Sequence, residues 1–267
     1  MPELHHILKV AKDAVLSSSE IIFNSVDKPR NVVHKGKSNL VTETDRESEQ
    51  NIKSIISKSF PDHGILGEET GYTKSDSPYL WIIDPLDGTT NFVHSYPSYA
   101  VSIGVLYEEQ PIVGVVMELP IKKMYFSVKN EGAYCGTERI SVSTISDLSQ
   151  SLLVTGFGYD HGKLWEENMR LFKHFTNITQ GVRRLGAASV DLCHVASGKV
   201  DGFWEFDLHP WDTAAGILIL TEAGGTISKI DGDPFMIYDN QIFASNGLIH
   251  SKFIDEIKNE NSFSILS

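Results

Sequence analysis

Two carboxylates three residues apart follow a short apolar run. Asp84 and Asp87 lie in the string D-P-L-D-G-T-T, directly after the apolar residues 79–83. An unpaired charge at the edge of a buried apolar run is unfavourable, so this placement needs a reason. Carboxylate oxygens are the hard ligands that Mg²⁺ prefers. The pair therefore predicts a metal site, and the alternative is a capped turn, because Asp and Gly are common turn residues.

The residues around this pair add to the same chemistry. Pro85 lacks an N–H and stiffens the turn, and the carbonyl of Leu86 lies between the two acids as a candidate third ligand. Gly88 and Thr89, followed by a second threonine, offer backbone N–H groups that can cradle an anion. The string therefore predicts a cation site beside an anion site.

Three further acidic segments are candidates for the same site. Glu68 and Glu69 lie in the glycine-flanked string G-E-E-T-G, for which a solvated acidic turn is the alternative. Asp212 precedes a predicted helix over 214–223, and Asp45 lies in T-E-T-D at the start of another helix. Acids at helix starts are commonly caps, so both a capping role and a metal or base role remain open for Asp45 and Asp212.

The elements that must position these residues alternate in type. Apolar residues at helical spacing predict helices over 4–23, from Thr44 to Pro61, and over 165–175, 187–196, 214–223 and 249–258. Strands are predicted at 79–83, 100–106, 112–117, 124–128, 151–155 and 226–230, with a loop over 61–78. Sheets interleaved with paired helices favour a layered α/β architecture, with a boundary between lobes near 145–150.

Composition excludes several classes of function. The formal net charge of −12 argues against a nucleic-acid partner, because phosphate backbones are bound by clustered Lys and Arg. Cys135 and Cys193 are far apart, which indicates neither a disulfide framework nor a zinc site. No apolar run approaches the roughly 18 residues of a membrane helix. The acidic Glu3, Asp13 and Glu20 suit neither a secretory signal nor a transit peptide, so we expect a cytoplasmic location.

Three strings in this order resemble the inositol monophosphatase family. They are G-E-E-T-G, W-I-I-D-P-L-D-G-T-T-N-F-V-H and P-W-D-T-A-A-G, and the resemblance extends over about residues 34 to 232. The family belongs to a group of lithium-sensitive, magnesium-dependent phosphatases with a layered αβαβα fold. The resemblance thus implies one domain over 1–267. Its lobes would be 1–148, with the metal and phosphate motifs, and 149–267, with substrate-facing residues and the last metal ligand.

The resemblance also implies a role for each matching position. The implied ligands of two to three Mg²⁺ ions are Glu68, Asp84, Asp87, Asp212 and the Leu86 carbonyl. The implied catalytic residues are Asp45, Thr89 and Glu68, and Asp45 and Thr89 are implied to orient the attacking water. The implied phosphate contacts are Gly88 and Thr89, with Lys35 as a candidate basic neighbour. The implied substrate contacts are Asp87, Gly186, Ala188, Glu205 and Asp212.

The physical chemistry of phosphate esters agrees with these roles. A phosphate monoester is a dianion that repels hydroxide and releases a poor alkoxide. Bound Mg²⁺ neutralises the phosphate oxygens, lowers the pKa of a bound water and stabilises the leaving oxygen. Packed carboxylates repel one another without cations. The hydroxyl of Thr89, linked to Asp45, can take the proton of the attacking water, so no Ser, Cys or His nucleophile is needed.

The predicted function is hydrolysis of a small phosphate monoester. The favoured substrate is myo-inositol monophosphate, because Glu205, seven residues before Asp212, can accept hydrogen bonds from ring hydroxyls. The alternatives are a fructose-1,6-bisphosphatase and a broad sugar or nucleotide phosphatase. A hypothesis of another class is a non-catalytic regulatory scaffold that binds a partner through Arg183 and Arg184, a pair otherwise expected to be solvated. The resemblance further implies a homodimer and inhibition by lithium.

Overall fold

Helices and strands alternate along the chain. The computed structural model describes residues 2–26, 32–34, 40–159 and 161–259. Its helices are α1 Pro2–Phe23, α2 Glu43–Ser59, α3 Thr89–Val93, α4 Lys163–Ile178, α5 Ala188–Ala196, α6 Pro210–Glu222 and α7 His250–Asn259, with a 3-10 turn at Leu148–Gln150. Its strands are β1 Val32–His34, β2 Leu40–Thr42, β3 Gly64–Gly67, β4 Gly71–Thr73, β5 Tyr79–Asp87, β6 Ala100–Tyr107, β7 Gln110–Glu118, β8 Lys123–Val128, β9 Ala133–Cys135, β10 Glu138–Ile140, β11 Leu152–Thr155, β12 Gly181–Arg183, β13 Gly202–Phe206, β14 Thr226–Ser228 and β15 Gln241–Ser245.

The larger sheet has eight strands in the order β10-β9-β8-β7-β6-β5-β3-β4. Its neighbouring strands are antiparallel, apart from the parallel pair β3 and β5. Strands β6 and β7 are buried over most of their length, because helices cover both faces. Their sequences are therefore continuous apolar runs rather than alternating ones.

Helices and sheets stack in five layers. Helices α1 and α2 cover the outer face of the larger sheet, and α5 and α6 lie between the two sheets. The smaller sheet has the order β12-β11-β13-β15-β14, and α4 and α7 pack on its outer face. Phe253 of α7, for example, stacks on Phe243 of β15 with ring centroids 3.7 Å apart. The predicted αβαβα layering is confirmed.

Two local predictions around Asp84 were wrong. The loop expected over 61–78 contains β3 and β4, which are only four and three residues long and carry too few apolar residues to stand out. The strand expected to stop at Asp84 continues to Asp87, and its pairing with β6 shifts register between these two acids. Both carboxylates thus belong to an irregular strand end.

Beside the two-stranded pair of β1 and β2, the two layered sheets occupy separate stretches of the chain. The larger sheet lies within residues 64–140 and the smaller within 152–245. Helices α5 and α6, however, contribute to the core that joins the two sheets. The division into lobes 1–148 and 149–267 stays a prediction.

Glycines let α6 lie directly on the larger sheet. A Cβ at Gly104 would come within 2.6 Å of the Cβ of Ala214, and one at Gly114 within 2.6 Å of the carbonyl oxygen of Ala215. Both distances are below 3.0 Å, so either added Cβ would force its neighbour to shift. Because α6 also carries Asp212, this close approach helps to set the depth of that carboxylate in the molecule.

We expect Gly114→Ala to destabilise the protein. The added Cβ meets backbone rather than a flexible side chain, so the free energy of unfolding should fall by about 1–3 kcal/mol. Gly64→Ala is the matched control, because this glycine is also in a strand of the larger sheet and its added Cβ would meet nothing nearer than 3.4 Å. Denaturant unfolding of both variants measures the difference. Equal stability of the two variants would contradict close packing of α6.

Candidate active site

The turn at the end of β5 is held by two hydrogen bonds. Asp84, 2% exposed, accepts a hydrogen bond through Oδ1 from the backbone N–H of Leu86 at 3.0 Å. The hydroxyl of Ser48, on α2, donates to the carbonyl oxygen of Pro85 at 2.9 Å. The first contact closes the turn around Leu86, and the second ties the turn to α2.

The Glu68 turn is organised by a buried acid that the sequence analysis missed. Glu49 of α2 accepts hydrogen bonds from the backbone N–H groups of Glu69 at 2.8 Å and Thr70 at 3.1 Å, and also from the Thr70 hydroxyl. A Cβ at Gly67 would lie 2.5 Å from the carboxyl carbon of Glu49, so a larger residue here would push this carboxylate away from the turn. Adjacent residues of α2 therefore position the turns that carry Glu68 and Asp84.

Asp45 and Thr89 form a buried pair. The carboxylate of Asp45, fully buried, accepts hydrogen bonds from the Thr42 backbone N–H and from the Thr89 hydroxyl, each at 2.8 Å. The Thr89 oxygen also lies 3.0 Å from the carbonyl oxygen of Leu86. Burial raises the pKa of Asp45, and the hydrogen bonds from Thr42 and Thr89 oppose that rise.

Asp87 links β5 to the start of α5. Its Oδ2 accepts hydrogen bonds from the backbone N–H of Ser189 at 2.9 Å and from the Ser189 hydroxyl at 2.6 Å. Gly88 has a φ of 84°, and a Cβ there would lie 2.8 Å from the carbonyl oxygen of Ser98. The Asn91 side chain donates to the carbonyls of Ser98 and Leu185 at 2.7 Å each. These contacts join the Asp87 turn to the segment that precedes α5.

Asp212 is placed by the start of α6. Pro210 is the first residue of the helix, and the preceding His209 donates its backbone N–H to Asp212 Oδ2 at 2.7 Å. The same carboxylate oxygen lies 3.8 Å from the His209 ring nitrogen Nδ1. The helix was predicted to begin at residue 214, and the proline at its first position brings that start forward.

These segments surround one cavity of about 310 Å³. The predicted site residues that line it are Glu68, Asp84, Leu86, Asp87, Gly88, Thr89, Gly186, Ala188, Glu205 and Asp212. Asp45 does not line the cavity and contacts it through Thr89. His94, near the site in sequence, is exposed elsewhere, and Lys35 lies outside the described residues.

The cavity is rich in uncompensated negative charge. Burial raises the pKa of Asp84 well above its usual range, and repulsion from Glu68, Asp87 and Asp212 adds to the rise. Burial, followed by repulsion from Asp87, likewise raises the pKa of Asp212. Burial raises the pKa of Asp87 to about 6, although hydrogen bonds from Ser189 oppose it. The donors are oxygens and the missing charge is positive, so these residues fit hard divalent cations.

The carboxylates are not drawn together around a point. Within residues 2–26, 32–34, 40–159 and 161–259, no three His, Cys, Asp or Glu side chains stand close enough to hold one ion as they are placed. Like charges repel, so carboxylates that face one cavity without cations are expected to stay apart from one another. At this spacing a bound cation would contact one or two carboxylates, with water or phosphate oxygens as its other ligands.

Comparison with known proteins identifies the family. The model of the "Inositol monophosphatase family" matches residues 3–262. The chain belongs to the inositol monophosphatase family. It is 48% identical to "Phosphatase IMPL1, chloroplastic" of Arabidopsis thaliana, over 94% of this chain and 70% of that protein. It is 39% identical to "Fructose-1,6-bisphosphatase/inositol-1-monophosphatase" of Aquifex aeolicus, over 97% of each.

A solved structure of the same family supports the architecture. Inositol monophosphatase from Anabaena superposes with a TM-score of 0.87 at 40% identity, covering 96% of this chain and 97% of that one. Membership of this family makes the chain a phosphatase of the phosphoric monoester hydrolase class. No helix in the described part of the chain is long and apolar enough to cross a membrane.

The cavity also has lining residues to which the sequence analysis assigned no role in the active site. They include Phe157, Tyr159, Arg184, Asp207, His209 and Trp211. Nothing in the sequence separates Arg184 from Arg183, yet Arg184 lines the cavity, where its charge opposes the rise that burial causes in the pKa of Glu205. A Cβ at Gly156 would overlap the Glu205 carboxylate, so the backbone at Gly156 packs directly against this side chain.

The metal-free protein should lose stability as pH rises. Asp87 has a pKa of about 6 in the folded state against an ordinary value of 3.8, so the folded state binds the proton more tightly. Its contribution to stability is fully present below pH 3.8 and is lost as pH rises through about 6. For this group alone the free energy of unfolding falls by on the order of 3 kcal/mol.

Denaturant unfolding in a chelating buffer, repeated across that pH window, measures this loss. Asp87→Asn is the control, because the amide oxygen can still accept from Ser189 but binds no proton, so its slope with pH should be shallower. Saturating Mg²⁺ should oppose the loss by binding the ionised carboxylates of the folded state. Identical slopes for the wild type and Asp87→Asn would show that Asp87 does not hold a tightly bound proton.

Proposed function

We propose that this phosphatase depends on Mg²⁺ and that its principal reaction converts myo-inositol monophosphate to inositol and phosphate. The observation that carries the proposal is one cavity lined by carboxylates from separate segments, Glu68, Asp84, Asp87 and Asp212, beside the Thr89–Asp45 pair. The named activity of the Anabaena protein, at 40% identity, supports the choice of substrate.

The proposed metal ligands are the carboxylates of Glu68, Asp84, Asp87 and Asp212 and the carbonyl of Leu86. Mg²⁺ at such a site is usually held by one or two carboxylates together with waters and substrate phosphate. The set therefore suits two to three ions rather than one. When bound, the cations neutralise the phosphate oxygens, lower the pKa of the attacking water and stabilise the leaving oxygen.

Thr89 and Asp45 are proposed to manage the proton of the attacking water. The Thr89 hydroxyl donates to the buried Asp45 carboxylate, so a lone pair of the Thr89 oxygen is available to accept a hydrogen bond from water. As the water attacks, its proton passes to Thr89 while the Thr89 proton moves to Asp45. The backbone N–H groups of Gly88 and Thr89 are the proposed phosphate contacts.

The charges of the cavity favour a monophosphate of a polyol. Glu205 can accept hydrogen bonds from ring hydroxyls, and Gly186 and Ala188 leave room beside it. Arg184 is the only Lys or Arg among the described residues that line the cavity. A second phosphate would therefore be repelled by several carboxylates and attracted by a single arginine side chain. Fructose-1,6-bisphosphate remains the second candidate because the Aquifex relative is named for both activities.

Loss of the Thr89 hydroxyl should remove most of the activity. Thr89→Val keeps the shape of the side chain but cannot relay a proton, so kcat should fall by about 10²–10⁴-fold. Thr89→Ser restores the hydroxyl and should retain much more activity than Thr89→Val. Steady-state kinetics with myo-inositol 1-phosphate at saturating Mg²⁺ measures both. A Thr89→Val enzyme as active as Thr89→Ser would exclude the relay.

A substrate panel tests the proposed function itself. Phosphate release from myo-inositol 1-phosphate, fructose 1,6-bisphosphate and glycerol 2-phosphate should require Mg²⁺, with the highest kcat/KM for the inositol ester. Glu205→Gln weakens a charge-assisted hydrogen bond, so kcat/KM for the inositol ester should fall about tenfold relative to glycerol 2-phosphate. Higher kcat/KM for the bisphosphate would replace the proposed substrate.

Other proposed properties come from the family resemblance rather than from the cavity. Li⁺ should inhibit by replacing one of the bound cations, the native protein should be a homodimer, and its location should be cytoplasmic. Inhibition curves and light scattering test the first two. A wild-type protein that hydrolyses no ester in Mg²⁺ would favour the alternative of a regulatory scaffold.

A further inference from the structure

A groove of about 430 Å³ lies at the β4 edge of the larger sheet and shares no lining residue with the catalytic cavity. We call it the tyrosine groove, and its apolar lining is formed mainly by Leu66, Leu80, Leu106, Tyr72, Tyr79 and Tyr238. Tyr72 lies opposite Leu66 on adjacent strands, and Leu80 lies opposite Leu106, so these side chains share one face of the sheet. Leu66 and Leu80 are only half-buried, so this end of the face is open to solvent.

The tyrosine rings of this groove are exposed but held in place. Tyr72 is 56% exposed and Tyr238 is 59% exposed. The Tyr72 hydroxyl donates to the carbonyl oxygen of Ser75 at 3.3 Å. The Tyr79 ring stacks on the His63 ring with centroids 4.5 Å apart. Exposed tyrosines around an apolar concave surface are typical of protein interfaces, where they contribute much of the binding energy.

The turn between β6 and β7 places two glutamates at the tyrosine groove. Glu108 and Glu109 line the groove, and their φ angles of 47° and 63° are both in the left-handed region. Two-residue hairpin turns of this kind favour Asn and Gly, because a Cβ is unfavourable there. The backbone N–H of Glu108 donates to the carbonyl oxygen of Pro78 at 2.9 Å, which fixes the turn beside the groove. Local backbone preference does not explain these glutamates, and strained residues are often found at functional sites.

The tyrosine groove carries negative charge. None of the described residues that line it is Lys or Arg. Partial burial raises the pKa of the Tyr238 phenol, and the negative charge of Glu109 adds to the rise, so this carboxylate acts on the groove. A cation there would be attracted by the carboxylates and by the faces of the tyrosine rings. Arginine suits both partners, because its flat guanidinium group stacks on rings and pairs with a carboxylate through two N–H groups.

We propose that the tyrosine groove binds an extended, arginine-containing segment of a partner protein, with the guanidinium group stacked on Tyr238 and paired with Glu109. Strand β4 is the last strand of the larger sheet, so its outer side pairs with no strand in the described part of the chain. An extended segment can therefore lie along this edge. The volume of the groove accommodates more than one side chain, which favours a protein segment over a small cation. This binding is independent of the proposed function, since the groove and the catalytic cavity share no lining residue.

Peptides that differ only in their basic side chains test this occupant. The probe is acetyl-Val-Arg-Val-Arg-Val-amide, and the comparison peptides have lysine or citrulline at both arginine positions. Citrulline keeps the shape of arginine without its charge, so calorimetric titration should give a Kd at least about tenfold higher for the citrulline peptide. The lysine peptide should fall between the two, because an ammonium group cannot stack flat on a ring. A Kd for the arginine peptide equal to that of either comparison peptide would overturn the proposal.

Variants of the groove separate specific binding from the general attraction of an acidic protein for cationic peptides. Glu109→Gln and Tyr238→Ala should each raise the Kd of the arginine peptide by about tenfold. Glu20→Gln is the matched control, because it removes one exposed carboxylate from α1 and leaves the groove unchanged. Phosphatase activity should be unchanged in all three variants. An equal rise in Kd for Glu109→Gln and Glu20→Gln would show that the peptide responds to net charge alone and would overturn the proposal.

Replacing the turn residues distinguishes a loss of binding from a loss of folding. Glu108→Asn combined with Glu109→Gly supplies the residues that this turn favours, so the midpoint of thermal unfolding should rise. The same double variant should bind the arginine peptide at least about tenfold more weakly, because both carboxylates are gone. Peptide binding as tight as that of the wild type would overturn the proposal.

A single arginine tests whether the occupant is an extended segment. Acetyl-arginine amide has the charged side chain but no neighbouring residues to lie along β4, so its Kd should be at least about tenfold higher than that of the peptide. Equal Kd values would assign the groove to a small cation and overturn an extended partner. No binding of the peptide to the wild type, as when a second copy of the chain covers the groove, would overturn the proposal as well.

Discussion

Mutual repulsion of buried carboxylates is the constraint on which this structure depends. The fold answers it with backbone hydrogen bonds, because one oxygen of each key aspartate accepts from a main-chain N–H. Asp84 accepts from Leu86, Asp87 from Ser189 and Asp212 from His209. Under the proposed function, the second oxygen of each carboxylate would contact a cation. The backbone therefore orients these proposed ligands, although without cations their charges repel one another.

The layered fold brings these carboxylates together from distant parts of the chain. Helix α2, on the outer face of the larger sheet, holds both the Glu68 turn and the Asp84 turn through Glu49 and Ser48. Helices α5 and α6, packed between the sheets, deliver Ser189 and Asp212 to the same cavity. The site thus depends on three layers at once. Any change that shifts α6 on the sheet would displace a carboxylate as well as loosen the core.

The sequence predicted what is locally encoded. Long apolar or amphipathic segments revealed most helices and the strands β6, β7 and β8, and the acids beside them revealed the metal-binding candidates. Short strands such as β3 and β4 escaped detection because three or four residues carry almost no periodicity. Glu49 escaped, and Arg184 could not be told from Arg183, because their importance depends on tertiary neighbours. The local sequence around an acid in a polar helix does not indicate whether its side chain is buried and hydrogen-bonded or solvated.

The hardest ambiguity in the sequence was whether acids at helix starts are caps or ligands, and under the proposed function the two roles need not compete. Asp212 accepts from the residue before α6, and Asp45 accepts from the residue before α2. Asp87, from a distant strand, accepts from the first turn of α5. In each case this hydrogen bond uses one carboxylate oxygen and thereby sets the direction of the other oxygen. A cap is a precise way to position a ligand, because the helix start is rigid and the donor is part of the backbone.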